Sequence, residues 1–257
     1  MRPRVLVLQA TGTNRDGDAA EAVRRAGGDP EILHVNELRE HPERLHTYQM
    51  LILPGGFSYG DALGAGKLLA TDMRWLFQDA LGSFVEAGKP ILGICNGFQA
   101  LVKSGWLPGP PHAPVKATLT RNVSNRFECR WVWLEPTPDS RCIFTRGLTE
   151  PITCPVAHGE GRFVPVDEAA RLGLWQNHQV ALTYTTIDDS VVGYPQNPNG
   201  STDHIAGICN AAGTILGLMP HPEDHIYPRQ HPRRARGDRD HAGLPLFERG
   251  IAYAASL

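Results

Sequence analysis

Residues 91–99 constrain the fold more than any other stretch. An apolar run, Ile91-Leu92-Gly93-Ile94, breaks at Cys95-Asn96-Gly97 and gives way to Phe98, Leu101 and Val102 at helical spacing. That pattern is a buried strand feeding a helix through a tight turn at Cys95. Gly93 and Gly97 flank the cysteine at the G-x-S-x-G spacing of a nucleophile elbow, with sulfur in place of oxygen. Small neighbours let a strained turn project the side chain into a cleft. The helix behind it offers free N–H groups and the positive end of its dipole, which favour thiolate over thiol. The amide of Asn96 points where an oxyanion forms. The competing reading is an inert buried thiol, since free cysteines are among the most buried residue types.

Around the elbow the chain alternates short apolar runs with helical patterns. Runs at 4–8, 31–35, 50–53 and 91–94 read as strands, and residues 19–26 and 73–87 read as helices. Alternation of this kind predicts an α/β fold, a mostly parallel central sheet covered by helices on both faces. Later strands are expected at 116–119, 127–134, 153–157, 180–185, 204–209 and 214–219, with a closing helix over 246–255. No repeat or linker divides the chain, so residues 1–257 are read as one domain. In such sheets ligands bind outside the carboxyl ends of the strands, and Cys95 stands at one of them.

Composition narrows the class. A formal charge of −2 argues against general affinity for nucleic acid or anionic membrane. No apolar run is long enough for a transmembrane helix, and the one after Met1-Arg2-Pro3-Arg4 is too short for a signal peptide. Five cysteines without a C-x-x-C pair fit a reducing cytoplasm and no structural metal site. Pro54-Gly55-Gly56 ends a strand and lets backbone amides approach a ligand. Gly64-Ala65-Gly66-Lys67 is not a phosphate loop, because Asp61 and Leu68 stand where that motif needs Gly and Ser or Thr. Residues 228–244 carry five arginines among aspartates, prolines and glycines and read as a solvated loop.

A cysteine nucleophile needs a base and a group to orient it. Of the eleven histidines, His158 and His221 each have a carboxylate two residues on, Glu160 and Glu223. In an extended segment residues two apart face the same side, so either pair can meet. Pro222 biases His221 toward an extended conformation, and His221 follows a strand that ends at the same sheet edge as Cys95, which favours it as the base.

These residues carry a resemblance. Gly93-Ile94-Cys95-Asn96-Gly97-Phe98-Gln99, with Pro54-Gly55-Gly56-Phe57-Ser58-Tyr59-Gly60-Asp61, Ala157-His158-Gly159-Glu160-Gly161 and Pro220-His221-Pro222-Glu223, resembles a class I glutamine amidotransferase. More narrowly the chain is similar to the glutaminase subunit or domain of phosphoribosylformylglycinamidine synthase. The segments Gly12-Thr13-Asn14 and 126–131 match it as well. The resemblance implies a flavodoxin-like sheet, Cys95 as nucleophile, His221 as base and acid, and Glu223 as its orienting carboxylate. It also implies oxyanion amides from Gly56 and Asn96, and a glutamine pocket lined by Gln99, His158 and Glu160. Cofactors are expected on a partner, a large synthetase subunit that uses ATP and Mg²⁺, and a small accessory subunit is expected beside it. Residues 61–67 look closer to the fused form of that synthase, although this chain stands alone. Two other readings are a different cysteine hydrolase on the same fold and a non-catalytic subunit whose site has decayed.

Overall fold

A computed structural model describes residues 2–188, 190–236 and 242–257. The first half of the chain runs β1 (Arg4–Gln9), α1 (Asp16–Arg25), β2 (Asp29–His34), α2 (Val35–Glu40), β3 (Met50–Leu53), α3 (Lys67–Trp75), α4 (Gln78–Glu86), β4 (Ile91–Ile94) and α5 (Asn96–Ser104). The second runs β5 (Ala117–Thr120), β6 (Glu128–Pro136), β7 (Ile152–His158), β8 (Arg162–Pro165), α6 (Glu168–Gln176), β9 (Val180–Thr185), β10 (Ile205–Cys209), β11 (Ile215–Leu218) and α7 (Leu244–Ala254). Nine strands form one sheet in the order β2-β1-β3-β4-β11-β10-β9-β6-β7, and β5 pairs with β8 separately.

The α/β reading holds, and the expected parallel sheet is the half from β2 to β11. Its central strands β3, β4 and β11 are buried at every residue, which is why they read as continuous apolar runs rather than alternating ones. The half from β11 to β7 is antiparallel, an extension that the sequence reading did not separate. It curls back on the molecule: β7 is the far edge strand, yet its Pro155 carbonyl accepts the His221 N–H, just beyond β11, at 2.8 Å.

Helix α5 lies very close to the sheet. Gly93 and Gly217 are register partners on β4 and β11, and a Cβ on either would strike Leu101 or Phe98 of that helix. Gly97 faces the Leu53 carbonyl, where a Cβ would fall 1.9 Å from the oxygen. Glycine at these three positions therefore sets the height of the elbow above the strands.

One reading is corrected. The single helix expected over 73–87 is two, because Leu76 and Phe77 both close onto the Asp72 carbonyl and end α3. Met73, Phe77, Leu81 and Phe84 are all buried across that break, so the helical spacing runs on where the helix does not. Helices α2 and α6 and strand β8 carried no strong period and went unpredicted. Of the arginine-rich loop, residues 237–241, with Asp238, Arg239 and Asp240, lie outside the described residues. Residues Pro228–Gln230 and Arg234–Arg236 before them form 3₁₀ turns. Among the described residues no helix is long and apolar enough to cross a membrane.

Candidate active site

Three loops meet at one edge because β3, β4 and β11 are adjacent and parallel, so their carboxyl ends deliver Gly55-Gly56, Cys95 and His221 to the same place. Cys95 is the residue between β4 and α5, with φ 49° and ψ −102°. A non-glycine residue rarely adopts that conformation, and such strain gathers at functional turns. The surrounding bonds hold it: Cys95 N–H donates to the Leu218 carbonyl at 2.8 Å, and the Cys95 carbonyl accepts from Gln99 N–H at 3.0 Å. Cys95 is only 5% exposed, but it lines a cavity of about 210 Å³ with Gly56, Asp61, Gln99, His158 and Glu160. The inert-thiol reading required sulfur sealed among hydrocarbon, and this residue instead lines a cavity that Asp61, Gln99, His158 and Glu160 also line.

His221 reaches the same point from β11. Its Nδ1 is 2.7 Å from Glu223 Oε1, and both side chains are buried. The extended path expected for this pair stops at His221 itself, at φ −107° and ψ 83°, where Pro222 forbids a helical start; Pro222–Asp224 is then a 3₁₀ turn that swings Glu223 back. Only glycine fits between base and nucleophile, since a Cβ on Gly55 would lie 2.6 Å from His221 Cε1 and 3.5 Å from Cys95 Cβ. Burial disfavours the charged imidazole, but the Glu223 carboxylate and then Cys95 outweigh it and raise the His221 pKa well above the ordinary value. Nε2 closes no hydrogen bond of good geometry at rest, although the thiol is near enough to act on the ring's proton affinity.

The other candidate pair does not form. Glu160 bonds to Ala65 N–H at 3.3 Å and lies 3.5 Å from Lys103 Nζ, while both ring nitrogens of His158 have no partner among the described residues. The physical difference is that the strand ends at His158 and the chain bends at Gly159 and Glu160, so the two side chains do not share an extended path; Gly161 leaves no room for a Cβ beside the His158 ring. Burial, with the charge of His221 adding, pushes the His158 pKa down to about 4, so this ring is neutral. Both residues nonetheless line the cavity that Cys95 lines.

Of the two oxyanion candidates, Gly56 lines the cavity, and Asn96 directly follows Cys95, which lines it. Asn96 N–H belongs to the first residue of α5 and has no place in the helical ladder. Gly56 sits at φ 139°, where a Cβ would meet Asn14 N at 2.7 Å and Thr13 Cα at 2.9 Å. Side-chain bonds tie the loop to the helix: Asn96 Oδ1 accepts from Ser58 N–H at 3.1 Å and from its hydroxyl, and Asn96 Nδ2 donates to Asp61 Oδ1 at 3.0 Å and Gln99 Oε1 at 3.1 Å. Gln99 Nε2 in turn donates to the Glu160 carbonyl at 2.8 Å.

Sequence reasoning gave no role to Asp61, Lys103, Phe127 or Asp224. Asp61 lay inside a quoted motif, and the Glu223-Asp224 doublet was visible, but Lys103 and Phe127 reach the site only through tertiary packing. Among the described residues one group has the composition of a metal site, His221, Glu223 and Asp224, with ligand atoms within 4.8 Å. Within it Glu223 Oε1 is taken by His221 Nδ1 and Asp224 by Arg15 at 3.4 Å, while His221 Nε2 and Glu223 Oε2 have no hydrogen-bond partner among the described residues.

The chain is similar to known proteins along its whole length. The profile of the CobB/CobQ-like glutamine amidotransferase domain matches residues 2–254. Phosphoribosylformylglycinamidine synthase subunit PurQ of Treponema denticola is 47% identical, covering 98% of this chain and 99% of that one. The subunit of the same name from Dehalococcoides mccartyi is 43% identical over 99% of this chain and 98% of its own. Among solved structures, PurLQS from Thermotoga maritima matches with a TM-score of 0.73 at 33% identity, covering 98% of this chain and 99% of that one. With its strained cysteine, its buried imidazole and carboxylate, and this likeness along its whole length, the chain belongs to the CobB/CobQ-like glutamine amidotransferase family, alongside these PurQ subunits.

Proposed function

We propose that this chain is the glutaminase subunit of a phosphoribosylformylglycinamidine synthase. It hydrolyses glutamine to glutamate and ammonia and passes the ammonia to a synthetase partner, which converts formylglycinamide ribonucleotide to formylglycinamidine ribonucleotide in purine biosynthesis. The observation that carries this reading is the meeting of Cys95, which lines the cavity, with the buried 2.7 Å His221–Glu223 pair across Gly55. The name shared by the curated relatives selects the acceptor.

In this reading the Cys95 thiolate attacks the side-chain amide carbon of glutamine, and Gly56 and Asn96 N–H groups receive the oxyanion. His221, whose hold on a proton Glu223 and Cys95 strengthen, gives its proton to the departing ammonia, leaving a γ-glutamyl thioester. It then takes a proton from the water that hydrolyses the thioester. Glu223 holds Nδ1 and keeps Nε2 turned to the sulfur. Gln99, His158 and Glu160 form the pocket wall. ATP and Mg²⁺ belong to the large synthetase subunit, a small accessory subunit completes the complex, and the complex works in the cytoplasm. The chain acts as one amidotransferase unit over residues 1–257.

The test is reconstitution with the synthetase. Cys95→Ala is expected to abolish glutamine-dependent synthesis while ammonia-dependent synthesis by the partner continues. Retained use of glutamine by that variant refutes the assignment.

A further inference from the structure

We infer that Asp61 is the side chain that receives the α-ammonium group of glutamine, an inference that rests on the glutaminase reading of the cavity. An amino acid entering amide first toward Cys95 carries its ammonium into a partly desolvated space, where it needs an anionic acceptor. The cavity lining holds two carboxylates, Asp61 and Glu160, and no lysine or arginine. They are not equivalent. Glu160 is balanced from behind by Lys103, 3.5 Å away, whose Nζ also donates to the Ala65 carbonyl. Asp61 makes no ion pair among the described residues, and its two hydrogen bonds, from Asn96 Nδ2 at 3.0 Å and Gly66 N–H at 3.3 Å, both fall on Oδ1. Oδ2 is left for a ligand.

The surroundings support the same role. Burial first, and the charge of Glu160 after it, raise the Asp61 pKa above the ordinary carboxylate value, while the bonds from Gly66 and Asn96 and the more distant charge of Lys103 oppose them only in part. A half-buried carboxylate with no cation in direct contact is stabilised by an arriving one. Asp61 is also one side-chain link from the nucleophile, because the Asn96 that it fixes follows Cys95 directly. A substrate correctly seated at Asp61 is thereby in register with the elbow.

The test compares two substrates on two enzymes, all in the reconstituted complex. L-glutamine is set against glutaramate, which has hydrogen in place of the α-ammonium group, and wild type is set against Asp61→Asn. Asp61 has φ 52°, a left-handed conformation that asparagine also tolerates, and asparagine Oδ1 can still accept from Asn96 and Gly66. Losing one charge-assisted bond is expected to raise the KM for glutamine on the order of 10–100-fold, with kcat nearly unchanged. Glutaramate is expected to be used equally by both enzymes; where its turnover is too slow to follow, its Ki against glutamine reports the same comparison. Glu160→Gln, whose charge is already balanced, is expected to move the glutamine KM less. Equal losses on both substrates, an unchanged KM for glutamine, or a KM rise confined to Glu160→Gln would overturn the assignment of Asp61 alone. No glutamine turnover by the wild-type complex would overturn the glutaminase reading and this assignment with it.

Discussion

Gly93 and Gly217 lie opposite each other on β4 and β11, and together they are the floor on which α5 rests. A Cβ on Gly217 would fall 2.0 Å from Phe98 Cδ2 and 2.7 Å from Leu107 Cδ1, both in side chains with no room to retreat. Gly217→Ala is therefore expected to cost about 1–3 kcal/mol, the usual penalty of overpacking a core. It also lifts the first turn of α5, which carries the Asn96 amide, so kcat should fall well beyond the stability loss. Urea denaturation and steady-state glutaminase assays of the same preparation check both. A variant with wild-type kcat would show that the elbow does not depend on the height of its helix.

His158 gives the fold an acid limit. The unfolded chain accepts a proton on this ring below about pH 6.5, whereas the native state refuses it until about pH 4. Stability is thus full above the unfolded value and falls as pH drops from 6.5 toward 4, by up to about 3 kcal/mol. His158→Phe keeps a ring over Gly161 and has no proton to bind, so its urea midpoint should change less across that interval than that of the wild type. Parallel curves for the two proteins would place the acid sensitivity elsewhere.

The parts of the site legible in the sequence are those where backbone chemistry leaves a local mark. Cys95 between two glycines, Gly55-Gly56 after an apolar run, and His221 before Pro222 each announce a turn at a strand end, and parallel neighbours bring those ends together. Side chains that arrive through packing leave no such mark. Lys103 is an ordinary last-turn lysine of α5 until the loop bearing Glu160 is folded over it. The same holds for the second half of the sheet: its strands were readable one by one, but nothing local told that β7 would curl back to offer Pro155 to His221. His158 and Glu160 failed as a pair for a reason that spacing does not contain, the bend at Gly159 and Glu160 that takes the carboxylate off the extended path.

Asp224 is held at a cost that its removal should reveal. Burial and then the charge of Glu223 push its pKa up to about 6, while His221 and Arg15 pull it down, and Asp18 adds to the rise. A carboxyl raised above its unfolded value stabilises the fold most when protonated, at low pH, and that contribution is lost as pH rises through about 6. Asp224→Asn should then gain stability relative to wild type between pH 5 and pH 8. Urea midpoints at the two pH values decide it. A variant that loses ground at pH 8 would mean that the 3.4 Å pairing with Arg15 outweighs the burial.

Glu223 separates orientation from charge in the reaction. Glu223→Gln keeps nearly the same shape, but a neutral amide no longer stabilises the imidazolium, and its NH₂ group can hold the wrong tautomer with Nε2 carrying the proton. The loss in kcat is expected to be on the order of 10²–10⁴. The pH profile carries the second half of the argument. Because Glu223 is the largest influence raising the His221 pKa, its removal should move the basic limb of kcat/KM to lower pH, since the ring then gives up its proton earlier. Ser58, whose N–H and hydroxyl both donate to Asn96 at the other end of the site, supplies the contrast. Ser58→Ala should lower kcat without shifting either limb, because it touches no titrating group. A basic limb that stays in place in Glu223→Gln would show that the proton of His221 is held by something other than this carboxylate.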